Sequence, residues 1–336
     1  MNDWPLVPLQ EDEVRSVLGG IGRYTICVND PPWSTISPDV PVPVRVISAW
    51  DMDLRHLETL TDDEPDSDTV VGLGGGSAID TAKYVAWKTG KRLIQIPSIT
   101  SVDAAFTDAI GVRSAGRVRY IGKLLPALVV LDVDLVRSAP KHLNRGGIGD
   151  VLSCHTALWD WRWAVANNRG VPWHDGGAQL GQQLLDELAQ RVDEVHDVTP
   201  DAVRWLASAY RRIGAACSVL RHSRFEEGSE HFLGYAYEHL SGAHPLHGEL
   251  IALCAVAMST LQGNDPDKVR DIVVRTGVRA HPEDLGITRS SFTAAVMALQ
   301  AYVQREQLDF SVIDTTAIGQ GVATQLWQAI AALPRR

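Results

Sequence analysis

The chain has 336 residues, 45% hydrophobic and 21% charged, with a formal net charge of −10 at pH 7; this composition excludes disorder and low complexity and allows a substantial core. The acidic excess contains no basic block, so a nucleic-acid backbone or an anionic membrane would be repelled overall, and neither is expected as a partner. No run reaches the length of a membrane span, and the opening MNDWPLVPLQEDEVRS is acidic where a secretion signal would be basic and then apolar. Cys27, Cys154, Cys217 and Cys254 lie far apart with no CxxC pair, as reduced core thiols do, so a cytoplasmic location is expected.

In chain order, the first half alternates short Val- and Ile-rich runs with helical stretches. RYTICV (23–28), PVRVISA (43–49), DTVVGL (68–73), RLIQIP (92–97) and ALVVLDV (127–133) read as buried parallel strands. SAIDTAKYVAWKTG falls between two of them as a helix, which gives βαβ units of the nucleotide-binding kind. Beyond about residue 145 the strand-like runs stop. TPDAVRWLASAYRRIGAACSVLRH places Val203, Leu206, Tyr210, Ile213, Cys217 and Leu220 at helical spacing behind a Thr-Pro start. The expected fold is therefore an α/β nucleotide-binding domain over 1–144 followed by an all-α domain over 145–336, with the active site in the cleft between them.

The stretch VVGLGGGSAIDTAK (70–83) sets a glycine triplet between a strand and a helix. Ser77 suits the N-cap of a helix beginning at Ala78, so the amides of Gly75, Gly76 and Ser77 would face an anion above the helix N-terminus. A pyrophosphate fits, although the spacing is not GxGxxG, and a tight turn with no ligand is the alternative. On the same helix Asp80 and Lys83 read as a surface i,i+3 ion pair.

Four of the eleven histidines, His231, His239, His244 and His247, fall in GSEHFLGYAYEHLSGAHPLHGE. His231 and Tyr235 share a helix face, and His247 begins the next element, so His231 and His247 can converge from neighbouring helix ends. Asp150, just after the turn in GGIGDVLSCHTALWDW, offers a carboxylate. Two imidazoles and a carboxylate with an open fourth position is the pattern of a catalytic metal site, but the residues alone do not choose this set.

The combination of GGGSxxDxxK (Gly74, Gly75, Gly76, Ser77, Asp80, Lys83), IPSITSVDAAFTD, GGIGDVLSCHTALWDW and GSEH…LHGE resembles one branch of a known superfamily. It is the glycerol-1-phosphate dehydrogenase branch, in the superfamily that also holds glycerol dehydrogenases, iron-containing alcohol dehydrogenases and dehydroquinate synthase. REQLDFSVID near the C-terminus resembles the family's late segment, while the first sixty residues match only in pattern.

The resemblance implies a dehydroquinate synthase-like fold, a nicotinamide cofactor (NAD or NADP), and one divalent ion held by Asp150, His231 and His247. Zinc is the first choice, with nickel or iron suiting the same ligands. It also implies that Gly74, Gly75, Gly76 and Ser77 hold the pyrophosphate with Asp80 nearby. Thr100, Ser101 and Thr107 would touch the cofactor, Asp103 would lie near the nicotinamide and the substrate hydroxyl, and Asp30 would meet the adenosine ribose. The implied activity is hydride transfer between NAD(P)H and a small polyol or polyol phosphate, of the dihydroxyacetone phosphate type, by a homo-oligomer.

Two positions depart from the family. Relatives carry a second histidine where this chain has Tyr235, which makes Tyr235 the candidate for proton transfer. Cys154 and His155 stand where relatives often have Lys or Asn followed by Tyr, with His155, Arg162 and His244 as candidate replacements near a substrate phosphate. The rival readings are a sugar-phosphate cyclase using NAD transiently, a secondary-metabolism dehydrogenase for another aldehyde or ketone, and a binding protein without catalysis. Asp150 in place of Glu, and Lys83-Tyr84 in place of a GF-like step, point away from the cyclase.

Overall fold

The computed structural model describes residues 4–62, 66–114 and 117–336. The chain divides into two compact units: Trp4–Asn144 with Thr199–Val219, and Arg145–Val198 with Leu220–Arg336.

The first unit is built on a six-stranded, wholly parallel sheet. Its strands are β1 (Leu9–Glu11), β2 (Tyr24–Val28), β3 (Arg45–Ser48), β4 (Thr69–Gly74), β5 (Arg92–Pro97) and, after a separate antiparallel hairpin of β6 (Ala109–Ser114) and β7 (Arg117–Lys123), β8 (Leu128–Leu131). The sheet order is β1-β8-β5-β4-β2-β3. Alternate side chains go to opposite faces: Cys27, Val70 and Leu93 join one core with Leu57, Tyr84 and Val85, while Ile26, Val71 and Ile94 join another with Leu18, Ile36 and Val130. Burial on both faces is why β2, β4 and β5 read as largely apolar runs, whereas β3, at the sheet edge, buries only Ile47.

β1 and the hairpin are absent from the sequence reading. Leu9–Glu11 carries no β-branched residue and is a strand only because it pairs with β8. In the hairpin only alternate residues of β6, Ile110 and Val112, are buried, so it lacks the signal of a doubly buried strand.

The helix Pro200–Leu220 groups with the sheet, a departure from a strict division at residue 144. Tyr210 Oη donates to the Thr100 carbonyl at 3.0 Å, and Arg204 Nη2 meets Glu11 Oε1 at 2.7 Å.

Among the described residues the second unit contains helices and no strand. His247–Gln262 is its central helix, buried from Gly248 to Ser259, which an apolar run without helical periodicity requires. Ser229–Ser241 and His247–Gln262 both end on left-handed glycines, Gly242 at φ +67° and Gly263 at φ +62°, which need no Cβ.

Candidate active site

Three helix starts in the second unit supply the metal-ligand candidates. Asp150 lies in the first turn of Ile148–Ala166, where the helix dipole favours a carboxylate. His231 lies in the first turn of Ser229–Ser241, and His247 opens His247–Gln262. One ligand atom from each lies within 4.8 Å of the others. His247 Nε2 is 3.2 Å from Asp150 Oδ1, close to the ~3.4 Å between two ligands each about 2.1 Å from a tetrahedral ion. The rings of His231 and His247 are 5.4 Å apart. Nitrogen and oxygen donors at these separations, two of the three residues buried, fit a divalent cation.

The remaining histidines of the cluster have other contacts. His239 packs on the Tyr302 ring at 5.7 Å, and His244 Nδ1 lies 3.3 Å from Glu238 Oε1.

Sequence reasoning missed the residue that orients the site. Glu230, fully buried, sits 2.8 Å from His231 Nδ1 and takes hydrogen bonds from the Gly228 amide at 2.6 Å and the Thr156 hydroxyl at 2.7 Å. With Nδ1 held by this carboxylate, Nε2 is the nitrogen left for a ligand role. Burial opposes charge on His231, but the hydrogen bond and charge of Glu230, with Glu227 and Asp150 nearby, outweigh it and raise the imidazole to about 9. The only signal in the sequence was the Glu-His pair itself. Asp160, also buried, holds the helix start by accepting from the Ser229 amide at 2.8 Å, and burial raises its carboxyl to about 6.

Tyr235 stands one turn after His231 with its ring 6.0 Å away, as helical spacing requires. Its hydroxyl donates to Glu227 Oε1 at 2.5 Å, a partner the sequence did not suggest. The residues considered for a substrate phosphate are engaged elsewhere: His155 Nε2 is 2.7 Å from the Asn264 carbonyl, and Arg162 lies over the Trp173 ring at 5.2 Å.

In the first unit the glycine loop follows β4, but the helix begins at Gly76 with Gly75 as N-cap, two residues earlier than a Ser77 N-cap would set it. Ser77 is inside the first turn, where its hydroxyl accepts from Asn29 Nδ2 at 3.0 Å. Asn29 Oδ1 takes the Gly75 amide at 2.9 Å, so of the three amides expected to face an anion only those of Gly76 and Ser77 remain, and helix geometry gives these no intrahelical acceptor. The protein itself accounts for part of the triplet. Gly74 has φ +152°, and a Cβ there would come within 2.8 Å of the Ala78 Cβ. A Cβ on Gly75 or Gly76 would meet only side-chain ends, Ile99 Cδ1 at 3.0 Å and Val102 Cγ1 at 3.1 Å.

Lys83 is fully buried, which corrects its reading as a surface residue. Its ammonium donates to the Ala109 carbonyl at 2.7 Å and lies 3.4 Å from Thr107 Oγ1 and 3.5 Å from Asp80 Oδ1. Burial raises the Asp80 carboxyl, against the pull of Lys83 and the Gly111 amide. The hairpin covers this face, which the helix alone did not reveal. Thr100 is tied to Asn144, whose Oδ1 accepts from its amide at 2.9 Å; Ser101 is buried beside it, and Asp103 opens the short 3-10 turn Asp103–Phe106. Asp30 is exposed and accepts from the Ser34 amide at 2.9 Å.

Residues 39–140 match the family model of the iron-containing alcohol dehydrogenases. The chain is 31% identical over 219 residues to the glycerol-1-phosphate dehydrogenase of Hyperthermus butylicus, named as using NAD(P)+; the match covers 65% of this chain and 62% of that relative, so less than two thirds of its length. A probable glycerol dehydrogenase from Sinorhizobium meliloti has the same fold, with a TM-score of 0.73 at 21% identity over 97% of this chain and 96% of that one. So does a sulfoacetaldehyde reductase from Bifidobacterium kashiwanohense, in complex with NAD+, with a TM-score of 0.66 at 16% identity over 99% and 100%.

Proposed function

We propose that this chain, which belongs to the iron-containing alcohol dehydrogenase superfamily in its glycerol-1-phosphate dehydrogenase branch, is a metal-dependent NAD(P)H oxidoreductase. Its reaction is hydride transfer between the nicotinamide and a carbonyl of a small polyol or polyol phosphate. The observation that carries this reading is the convergence of Asp150, His231 and His247 from three helix starts. A divalent ion held there, zinc first and nickel or iron by the same donors, supplies charge stabilisation to a substrate oxygen.

The chain's own residues supply the rest. Glu230 fixes the orientation and tautomer of His231. Tyr235, its ring 6.0 Å from that of His231, is assigned the proton that accompanies hydride transfer. Gly76 and Ser77 offer amides to the cofactor pyrophosphate, with Gly75 keeping the approach open and Gly74 allowing the turn that sets the loop. Lys83 and Asp80 brace the start of β6 against this helix, so the assigned part of Asp80 is to hold the loop behind the cofactor. Thr100, Ser101, Thr107 and Asp103 form the loop offered to the nicotinamide end, and Asp30 is offered to the adenosine ribose. The same reading assigns residues 1–144 to the cofactor and 145–336 to metal and substrate, in a cytoplasmic homo-oligomer.

Metal-loaded protein incubated with NADH or NADPH and a panel of ketoses, aldehydes and their phosphates tests the proposal. Net cofactor oxidation is expected with at least one polyol-forming carbonyl. Product without net oxidation would make the chain a cyclase, and neither would leave only a binding role.

A further inference from the structure

The dehydrogenase reading needs a proton path, and an unusual pair of side chains occupies its start. Tyr235 Oη donates to Glu227 Oε1 at 2.5 Å, while Glu227 Oε2 accepts from the Ser223 hydroxyl at 2.6 Å. Each carboxylate oxygen thus accepts from its own hydroxyl. The turn beneath them is rigid: the Glu226 and Glu227 amides both donate to the Ser223 carbonyl at 2.8 Å. Arg224, buried at 2% exposure, directs its guanidinium to the Phe310 carbonyl at 2.9 Å and the Glu227 carbonyl at 3.4 Å, so it braces the turn's backbone. Glu227 itself is only partly buried and keeps access to water.

A phenol has one proton to give, and once that proton is given to a carboxylate the oxygen has only lone pairs to offer. We propose that Glu227 is a positioning residue for Tyr235: it accepts the phenol's hydrogen bond, so Tyr235 meets the substrate with a lone pair and the group it recognises is a hydroxyl donor. This rests on the dehydrogenase reading and names what the site recognises. In oxidation the alcohol's O–H proton passes to Tyr235 Oη as the tyrosine's own proton passes to Glu227 Oε1. The carbinol C–H bond breaks with its electron pair leaving as hydride to the oxidised nicotinamide, and the carbon–oxygen bond becomes a carbonyl. Glu227 then releases the proton to water. Reduction runs the same transfers in reverse, so atoms and charge balance in both directions.

The experiment pairs kinetics with a resonance that does not need turnover. Glu227→Gln, Tyr235→Phe and the double variant are loaded with metal, and tyrosine carrying a carbon label at Cζ is incorporated, with Tyr235 assigned by its loss in Tyr235→Phe. Glu227→Gln should lower kcat by about tenfold or more while metal content and the KM for cofactor stay near wild type, and in the Tyr235→Phe background it should add no further loss. The Tyr235 Cζ resonance should shift in Glu227→Gln and should move when glycerol is added to wild type. Multiplying kinetic effects, or a Tyr235 resonance unchanged by Glu227→Gln, overturns the proposal. Should Glu227→Gln not fold, Ser223→Ala loosens the carboxylate without removing it and should shift the same resonance; an unchanged resonance there overturns it as well. A chain without dehydrogenase activity but with the expected shifts would refute the proposed reaction and leave the pair standing.

Discussion

Gly149 and Gly248 touch backbone to backbone: a Cβ built on Gly149 would lie 2.7 Å from the Gly248 Cα. Each glycine adjoins a metal-ligand candidate, Asp150 on one helix and His247 on the other, and their contact lets Asp150 Oδ1 and His247 Nε2 come within 3.2 Å. Gly149→Ala should force the two helix starts apart, because backbone cannot rotate away as a side chain can. A destabilisation of about 1–3 kcal/mol is expected together with weakened metal binding. Wild-type melting temperature and metal affinity in this variant would show that the contact yields freely.

His247→Ala removes one of the three donors and should sharply lower metal content, measured by elemental analysis of protein loaded with zinc and then desalted. Full occupancy in that variant would refute the assignment of His247.

Metal binding should depend on pH through His231. In the metal-free fold its pKa rises from 6.5 to about 9. The raised value means that the charged His231–Glu230 pair stabilises the metal-free protein fully below pH 6.5, and that this contribution is lost as pH rises through about 9. An incoming cation must displace that proton, so the apparent metal affinity should climb by up to about tenfold per pH unit across this window and then level off. Titrations giving a pH-independent Kd there would contradict it.

Gly75→Val tests the glycine loop. The new side chain would press on the end of Ile99 and extend over the helix start, so NAD(P)H affinity should fall by more than about tenfold, roughly 1.4 kcal/mol, with metal content near normal. Unchanged cofactor affinity would leave the loop as a turn and nothing more.

Tyr235→Phe should lower turnover by about ten- to a thousandfold with metal and cofactor bound as in wild type. Tyr235→His should restore part of the rate and move the pH optimum downward, since an imidazole titrates far below a phenol. An unchanged rate and pH profile in Tyr235→Phe would remove the phenol from the reaction.

Sequence alone determined the elements whose signal is local. Five parallel strands were legible from their Val and Ile runs, which burial on both faces imposes on Tyr24–Val28, Thr69–Gly74 and Arg92–Pro97, and His231 with Tyr235 was legible because residues four apart share a helix face. The tertiary structure decided whatever depended on partners distant in the chain. The hairpin buries Lys83, which a helix pattern alone left on the surface. The contact of Gly149 with Gly248 brings His247 to Asp150, although the sequence offered four histidines in one window. Glu227 reaches Tyr235 across the break at Gly228, where no helical spacing relates the two. Periodicity records which face of an element is buried, whereas the partner that buries it is set by how the elements pack.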